Sequence, residues 1–511
     1  MKPIETLIQP LFDTQHDAEH SNDMAALCDW LVEATDQQLA DFCTALRARV
    51  ASSNQLVKQH FITAIRTVVD GQRRQSHPMD VLLRKSLLEL YGELGGECSF
   101  RWVLLQWLAV SGRMADLAAL AERILADPPR DARGVALALA PLFQSDRWEI
   151  AGVFPRLLDA IATPLLASPV LDLANYVTRR GWVDRHPAAD RCEALVELLG
   201  ALVQRLAKLE ETPVPAPQVR SQQGRQVDET VAIVISLCDA LALIGSERAI
   251  GKLYQALSLH HRRLRAEAAA ALARLGDEEG RKILIGFAAE PVTRLRVLAD
   301  AEELGIADQI DPQYTTPEAR AEAEVALALA QPSYFGMPPL RVEHVYAKEL
   351  YWPGHTEPVV CHLVRYEYQL DRGHYANIAI CGPVTHALTA NLNDLSPDDI
   401  LAVYAGWHTE HEEIYEVEPA HWSPEQQTIA QNLVRQLDAN GFTRVEPVFL
   451  ATILGYWVLV ARVEYESNDG IAVVDASHIE FSPNRSTAPP MSPQEIYLRY
   501  KGRYILRQFN S

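Results

Sequence analysis

The fold is decided by one short run that the chain contains three times: Ala240-Leu-Ala-Leu-Ile-Gly245, Ala271-Leu-Ala-Arg-Leu-Gly276 and Asp300-Ala-Glu-Glu-Leu-Gly305. The three glycines are 31 and 29 residues apart, a period typical of helical repeat proteins. Glycine ends helices well because it adopts the left-handed backbone conformation without a steric penalty. The runs therefore predict consecutive helical units that end at Gly245, Gly276 and Gly305.

The second unit contains a longer pattern, Arg265-Ala-Glu-Ala-Ala-Ala-Ala-Leu-Ala-Arg-Leu-Gly276-Asp-Glu278. This pattern resembles the second helix and following turn of a HEAT repeat of the phycobilin-lyase-like subfamily. Arg265 and Arg294 each stand 11 residues before a repeat glycine, whereas Val234 holds that position in the first unit. The resemblance covers about 228–308. It implies an α-helical solenoid in which Arg265 and Arg294 bond a neighbouring repeat and have a structural role.

The sequence divides into four segments. Residues 1–208 carry apolar residues at three- and four-residue spacing, which predicts a helical array of degenerate repeats. Prolines at 213, 215 and 217 open a polar stretch that we predict to be a Pro/Gln-rich loop over 209–227, because proline disrupts helices. HEAT-like repeats are expected over 228–330 and an α+β domain over 331–511.

The last segment differs from the others in composition, since it holds 13 of the 17 tyrosines and 9 of the 16 histidines. Alternating apolar residues predict strands over 341–350 and 358–370. Ser-Pro pairs at 396, 423 and 492 predict helix starts, and the first of these helices is expected to run through Ile414. The predicted fold class is multidomain: an α-helical solenoid of HEAT-like α-α repeats, followed by an α+β domain with a mostly antiparallel sheet.

Charge and cysteine usage restrict the partner and the compartment. The net charge of −20 argues against nucleic-acid binding, which normally needs a basic face, and it disfavours anionic membranes. The seven cysteines are scattered and include no Cys-x-x-Cys pair, as is usual in a reducing compartment. The start of the chain lacks the apolar core of a signal peptide. We therefore expect a cytoplasmic protein whose partner is another protein.

One segment contains residues that commonly ligate metals: His408-Thr-Glu-His411-Glu412. On a helix, His408 would face both His411 and Glu412, so the three side chains could meet at a metal ion. The histidines are three residues apart, however, whereas the zinc-protease helix motif places them four apart. The competing interpretation places His411 on a buried stripe and His408, Glu410, Glu412 and Glu413 on a solvated face. These three residues are the candidate metal ligands, and we predict no catalytic residue and no cofactor.

The sequence contains no Gly-x-Ser-x-Gly nucleophile elbow and no phosphate-binding glycine loop. The first functional hypothesis is therefore a non-catalytic interaction or scaffold protein that binds its partner along the solenoid surface. The alternatives are a metal-assisted hydrolase activity in the C-terminal domain and, from the family resemblance, a bilin lyase-like role. Four basic residues of the last predicted helix are interpreted as a solvated face or a contact for the acidic residues near Glu412: Arg499, Lys501, Arg503 and Arg507.

Overall fold

A computed structural model describes residues 4–13, 18–52, 55–75, 79–144, 148–211, 217–331, 333–370, 373–484 and 491–510. The chain divides into two compact units, Met1–Leu284 and Ile285–Ser511. The first unit is helix-rich, and the second contains two antiparallel sheets as well as helices. This confirms the predicted change from a helical part to a mixed α and β part.

The α-helices of the described residues are α1 Ile4–Leu7, α2 Ala18–Glu33, α3 Asp36–Ala51, α4 Lys58–Gln75, α5 Val81–Leu94, α6 Trp102–Ser111, α7 Met114–Ala126, α8 Ala132–Leu139, α9 Pro164–Arg179, α10 Cys192–Glu211, α11 Pro217–Ile244, α12 Ile250–Leu257, α13 Arg262–Arg274, α14 Glu278–Gly286, α15 Pro291–Glu303, α16 Pro317–Leu329, α17 Pro397–His408, α18 Pro424–Ala439 and α19 Pro493–Phe509. None of these helices is both long enough and apolar enough to cross a membrane.

The strands are β1 Arg341–Tyr351, β2 Pro358–Leu370, β3 Gly373–Cys381, β4 Ile414–Val417, β5 Thr443–Ile453, β6 Tyr456–Tyr465, β7 Asn468–Val474 and β8 Ile479–Pro483. They form a three-stranded sheet in the order β1-β2-β3 and a five-stranded sheet in the order β4-β5-β6-β7-β8. Neighbouring strands are antiparallel throughout. The C-terminal part therefore has two antiparallel sheets where the sequence predicts one mostly antiparallel sheet.

Most helices of the first unit pack against the second next helix along the chain. α2 contacts α4, α4 contacts α6, α6 contacts α8, α9 contacts α11, and α11 contacts α13. Apolar residues at helical spacing supply the core, as in α5, which buries Leu83, Leu87 and Leu90. One continuous apolar cluster extends from Ile8 to Leu272.

The three repeat glycines end helices, as the sequence predicts. Gly245, Gly276 and Gly305 have φ angles of 77°, 84° and 67°. The residue after each glycine donates its N–H to the carbonyl five residues earlier, at 3.0, 3.0 and 2.9 Å. These bonds satisfy carbonyl groups that the end of a helix leaves free.

The predicted loop over 209–227 is helical wherever the structure describes it. α10 continues to Glu211 and α11 begins at Pro217, while 212–216 lie outside the described residues. The loop prediction is wrong from Pro217 onward because a proline at the first helical position loses no hydrogen bond. The glutamines and arginines that follow are also good helix formers.

The second unit begins earlier than the predicted domain start at 331. α16 packs on one face of the β1–β3 sheet, where Ala321, Val325 and Leu329 share a core with Val364 and Tyr366. α15 in turn packs against α16. The helices between 285 and 330 therefore belong with the sheets in one compact unit.

The second unit contains two halves of similar construction. The first half (341–408) consists of β1, β2, β3 and α17, and the second half (443–509) includes β5, β6, β7 and α19. Arg365-Tyr-Glu-Tyr368 in β2 corresponds to Arg462-Val-Glu-Tyr465 in β6. The registers also correspond, because Arg365 pairs with Ile378 and Arg462 pairs with Ile471.

Helices α17 and α19 correspond in sequence as well. Ser396-Pro-Asp-Asp-Ile-Leu-Ala-Val-Tyr404-Ala-Gly406 and Ser492-Pro-Gln-Glu-Ile-Tyr-Leu-Arg-Tyr500-Lys-Gly502 share Ser, Pro, Ile, Tyr and Gly at matching positions. Each serine caps its helix by accepting a backbone N–H, at 3.3 Å from Asp399 and 3.2 Å from Glu495. The two helices pack closely, and their backbones approach each other at the two glycines.

Candidate functional site

The three candidate metal ligands do not converge. His408 is the last residue of α17, and its Nδ1 accepts a hydrogen bond from Trp352 Nε1 at 3.1 Å. His411 and Glu412 follow in an exposed turn before β4. The described residues include no group of three His, Cys, Asp or Glu side chains that could hold a metal ion.

The helical spacing behind the metal hypothesis is wrong because α17 ends at His408 and does not run through Ile414. Glu410, Glu412 and Glu413 would have placed three negative charges at the C-terminal end of the helix, where the dipole favours positive charge. The exposed position of His411 also excludes the buried stripe that we considered for it.

Arg294 of α15 is bonded to its own segment and to the neighbouring helix α16. Its side chain is buried, and Nε donates to the carbonyl of Ala288 at 2.8 Å. Nη1 donates to the carbonyl of Ala319 at 2.7 Å and to the carboxylate of Glu322 at 3.0 Å. Arg294 therefore joins α15 to α16. Arg265 is half-buried on α13.

The buried thiols of the β1–β3 sheet are not activated nucleophiles. Cys381 Sγ donates to Glu324 Oε2 at 3.0 Å, and burial raises the pKa of Cys381 to about 12. Burial likewise raises the pKa of Cys361 to about 12. The reactive thiolate form is therefore scarce at neutral pH for both side chains.

A large groove lies between α18 and the second half. Its volume is about 1120 Å³, and α18, the β5–β6 turn, the β7–β8 turn and α19 form its walls. The polar side chains that line it include Asp475, His478, Glu480, Arg503 and Arg507. Ligand sites are typically concave and have a few convergent polar groups, so this groove is the candidate functional site.

Asp475 is a fixed anion in the wall of the groove. Its carboxylate accepts hydrogen bonds from Tyr500 Oη, from the N–H and Oγ of Ser477 at 2.7 and 2.9 Å, and from the N–H of His478 at 2.7 Å. Burial raises the pKa of Asp475, but these hydrogen bonds outweigh burial and leave the pKa below its usual value. Burial and the bond to Asp475 raise the pKa of Tyr500. The pair is therefore held as a carboxylate and a neutral phenol.

Arg503 is also engaged within the protein. Its Nε donates to Asp399 at 2.7 Å, and its Nη1 donates to Glu480 at 2.9 Å. Glu480 accepts a second bond from Arg499 at 2.6 Å. Burial lowers the pKa of Arg503, but Asp399 and Glu480 raise it further, so the net shift is upward. Arg503 therefore stays protonated, but its donors are already bound to Asp399 and Glu480 and it is not available to a ligand.

Arg507 differs from these neighbours because it forms no ion pair with any residue that the structure describes. It is exposed, one helical turn beyond Arg503 on α19. The side chain of His478 is also exposed in the same groove. The groove therefore has one arginine whose charge is available to an anionic group of a ligand.

Aromatic side chains flank Arg507. The rings of Tyr456 and Tyr504 are 5.8 Å apart at an interplanar angle of 60°, and Trp457 lies on the same wall. Tyr456 is 61% exposed, which is high for a large aromatic residue and typical of an interaction surface. The groove thus combines a guanidinium that has no ion-pair partner among the described residues with an exposed apolar surface.

The corresponding tyrosine of the first half, Tyr404, does not border an open groove because it is buried. Tyr404 is fully buried in a cluster with Ala390 and Leu392, which precede α17. Its hydroxyl donates to the carbonyl of Ile378 at 2.7 Å. Tyr404 therefore has a packing role, whereas the matching Tyr500 borders the groove.

The basic residues of α19 are evident in the sequence, but the residues that surround them in the fold are not. Arg499 binds Glu480, and Arg503 binds Asp399 and Glu480, which are not the acidic residues near Glu412 that the sequence offered as partners. Lys501, by contrast, interacts electrostatically with Glu416 and Glu410, which lie on either side of Glu412. The groove combines segments between 429 and 508. No local spacing in the sequence indicates that these segments meet.

No family model matches the chain, and comparisons with curated proteins and with solved structures find no significant match.

Proposed function

We propose that this is a non-catalytic protein-interaction protein whose groove binds a segment of a partner protein. The observation that carries this proposal is the contrast within the groove. Asp475, Glu480 and Arg503 are engaged by their own neighbours, whereas Arg507 and Tyr456 are available to a ligand. A site of this kind can bind and orient a ligand, but it has no activated nucleophile.

The proposed ligand segment carries a carboxylate next to an apolar or aromatic residue. The carboxylate would bind the guanidinium of Arg507, since arginine presents a planar array of donors that fits a carboxylate. The apolar residue would pack on Tyr456 and Tyr504. Arginine and tyrosine are both common among the residues that dominate interface energies.

The first unit is proposed to be a HEAT-like solenoid that offers a second binding surface. The packing of helices against their second next neighbours supports this interpretation, as do the glycine turns at the ends of α11 and α13. Helical repeats commonly bind proteins along such extended surfaces. The bilin lyase-like alternative stays a prediction, and no observation favours the hydrolase alternative.

The proposal is tested by selecting peptides from a random library with the purified protein. We expect enrichment of peptides that place Asp or Glu beside an apolar or aromatic residue. Arg507→Glu should abolish binding of the selected peptides, and Tyr456→Ala should weaken it roughly tenfold or more, as is usual for interface anchors. Arg133→Glu is the matched control, because Arg133 is an exposed arginine on α8 that does not line the groove. Peptides that bind all variants equally would refute this site.

A further inference from the structure

The two halves differ at the outer edge of their first strand. In the second half, β4 covers this edge of β5 through the antiparallel pairs Ile414 with Ile453 and Val417 with Leu450. In the first half, the described residues provide no strand beyond β1, which ends the β1-β2-β3 sheet. One edge is therefore covered by a strand, whereas no described strand covers its counterpart.

The registers identify which residues of the two edges correspond. Each first strand has an irregularity at the same place, between His344 and Tyr346 in β1 and between Pro447 and Phe449 in β5. After it, Tyr346 pairs with Leu363 and Phe449 pairs with Val460, and the ladders continue without further shifts. The segment 347–350 of β1 therefore corresponds to 450–453 of β5, which is the segment that β4 covers.

Hydrogen bonds at the end of each strand show which backbone groups point outward. The N–H of Tyr351 donates to Asn510 Oδ1 at 2.7 Å, and the carbonyl of Tyr351 accepts from Asn510 Nδ2 at 3.0 Å. At the matching position directly after β5, the N–H of Leu454 donates to the carbonyl of Glu413, just before β4. Because outward groups alternate along a strand, the backbone groups of Ala347 and Glu349 also point away from β2.

The solvent exposure of the two strands agrees with the difference between the β1 edge and the β5 edge. Ala347, Lys348 and Glu349 are exposed, whereas their counterparts Leu450, Ala451 and Thr452 are buried beneath β4 and its neighbours. An exposed strand edge is a template for pairing with another chain. The side chain of Asn510 already satisfies Tyr351, so the free part of the edge is short and has defined ends.

We propose that the edge of β1 over 347–350 binds an extended segment of a partner protein by strand addition. The segment runs antiparallel to β1, as β4 runs antiparallel to β5. Main-chain hydrogen bonds at Ala347 and Glu349 supply affinity, and cross-strand side-chain pairs supply selectivity. This surface is separate from the groove, so the proposal does not depend on the function assigned to Arg507.

The side chains of β1 define the order of residues in the partner segment. Its four residues would lie opposite Leu350, Glu349, Lys348 and Ala347, in that order. Opposite charges are favourable and like charges unfavourable in directly facing pairs, so the order is apolar, basic, acidic, apolar. Lys348 already binds Asp398 at 2.7 Å on the surface, but an ammonium group has three donors and can bind a second carboxylate.

Two synthetic 12-residue peptides test the proposal against the full 511-residue protein. One carries Val-Lys-Glu-Val at its centre, and the other carries Val-Glu-Lys-Val in otherwise identical surroundings. We expect fluorescence anisotropy to show roughly fivefold or greater preference for the first peptide, since two facing charge pairs are reversed in the second. Exchanging the charges of the protein, with Lys348→Glu and Glu349→Lys together, should reverse the preference.

A matched pair of variants separates the backbone contribution from the side-chain contribution. Glu349→Pro removes the outward N–H, at an edge position where proline is tolerated, and should abolish binding of both peptides. Glu349→Ala keeps the N–H and should bind both peptides, with a smaller preference for the first because only the pair with Lys348 remains. Circular dichroism checks that each variant is folded, and hydrogen exchange at Ala347 and Glu349 should slow when the first peptide binds.

Three outcomes would overturn the proposal. The first is no saturable binding of either peptide up to about 1 mM, the weak end of specific recognition. The second is equal binding by the Glu349→Pro and Glu349→Ala variants, because the main-chain bonds would then be irrelevant. The third is a dimer of the protein that Glu349→Pro converts to a monomer, because a second copy would then occupy the edge.

Discussion

Gly406 and Gly502 face each other where α17 and α19 cross, and each excludes a side chain from the other helix. A β-carbon on Gly502 would overlap the carbonyl oxygen of Ala402 and lie 2.9 Å from the nitrogen of Gly406. A β-carbon on Gly406 would overlap the carbonyl oxygen of Leu498 and lie 3.2 Å from the nitrogen of Gly502. The contact is reciprocal, since Ala402 and Leu498 hold corresponding positions in the two halves.

Gly502→Ala should therefore destabilise the second unit. The clash involves backbone atoms that cannot rotate away, so we expect a cost of about 1–3 kcal/mol or more in the free energy of unfolding. Differential scanning calorimetry measures it. Gly286→Ala is the control in the same unit, because Gly286 has helical backbone angles and a β-carbon added there would meet no atom within 4 Å. A Gly502→Ala protein as stable as the Gly286→Ala protein would contradict the close crossing.

Removing the guanidinium of Arg294 should be costly. Arg294→Met leaves the carboxylate of Glu322 without its buried ion-pair partner and leaves the carbonyls of Ala288 and Ala319 without these donors. Loss of one member of a buried ion pair typically costs about 3–5 kcal/mol. Chemical denaturation compares this variant with Arg444→Met, which breaks the surface pair between Arg444 and Glu464. That pair is exposed, so its loss should cost about 0–1 kcal/mol.

Stability should fall in mild acid because of His186. Its Nδ1 accepts the N–H of Ala188 at 3.1 Å, and its Nε2 therefore carries the hydrogen that binds Asn175 Oδ1 at 2.9 Å. Burial lowers the pKa of His186 from 6.5 to about 4. Between these values the unfolded chain binds a proton that the folded chain does not, so stability is present above pH 6.5 and is lost progressively toward pH 4.

The size of this effect is roughly 3 kcal/mol from the pKa difference alone. His186→Gln should reduce the slope of unfolding free energy against pH between 7 and 4, measured by urea titration at each pH. The variant can be less stable at pH 7 without affecting this test, because the slope is the quantity compared. His411→Gln, at an exposed histidine, measures the effect of the substitution itself. An unchanged slope in His186→Gln would contradict the burial of His186 as a neutral ring.

His408 should affect stability and leave the metal content unchanged. Its ring accepts the hydrogen bond of the fully buried Trp352, so His408→Ala leaves an indole N–H unsatisfied at a cost of about 1–3 kcal/mol. Elemental analysis of the wild type and of His408→Ala should give the same metal content. His411→Ala should change neither quantity. A stoichiometric metal that is lost in His408→Ala would restore the metal hypothesis.

The sequence predicts helices and strands better than it predicts where a helix ends or which distant segments come together. Alternation over 358–370 gives the bounds of β2, and the Ser-Pro pairs at 396, 423 and 492 mark three helix starts, because both signals depend on neighbouring residues alone. The end of α17 depends on the negative charges of the glutamates that follow the helix. Proline at 217 is compatible both with a loop and with the first position of a helix. The groove depends on contacts between distant segments. The correspondence of the two halves is visible in the sequence only when Ser396 and Ser492 are aligned.

The two hydrogen bonds between Tyr351 and Asn510 link the end of β1 to the end of α19 across 159 residues of chain. Helix ends fray more readily than strands within a sheet unfold. Each time the last turn of α19 opens, Tyr351 loses its partner and the accessible part of the β1 edge lengthens by one residue. The exchange rate of the Tyr351 amide therefore reports how often this contact opens, and it can be followed without any ligand.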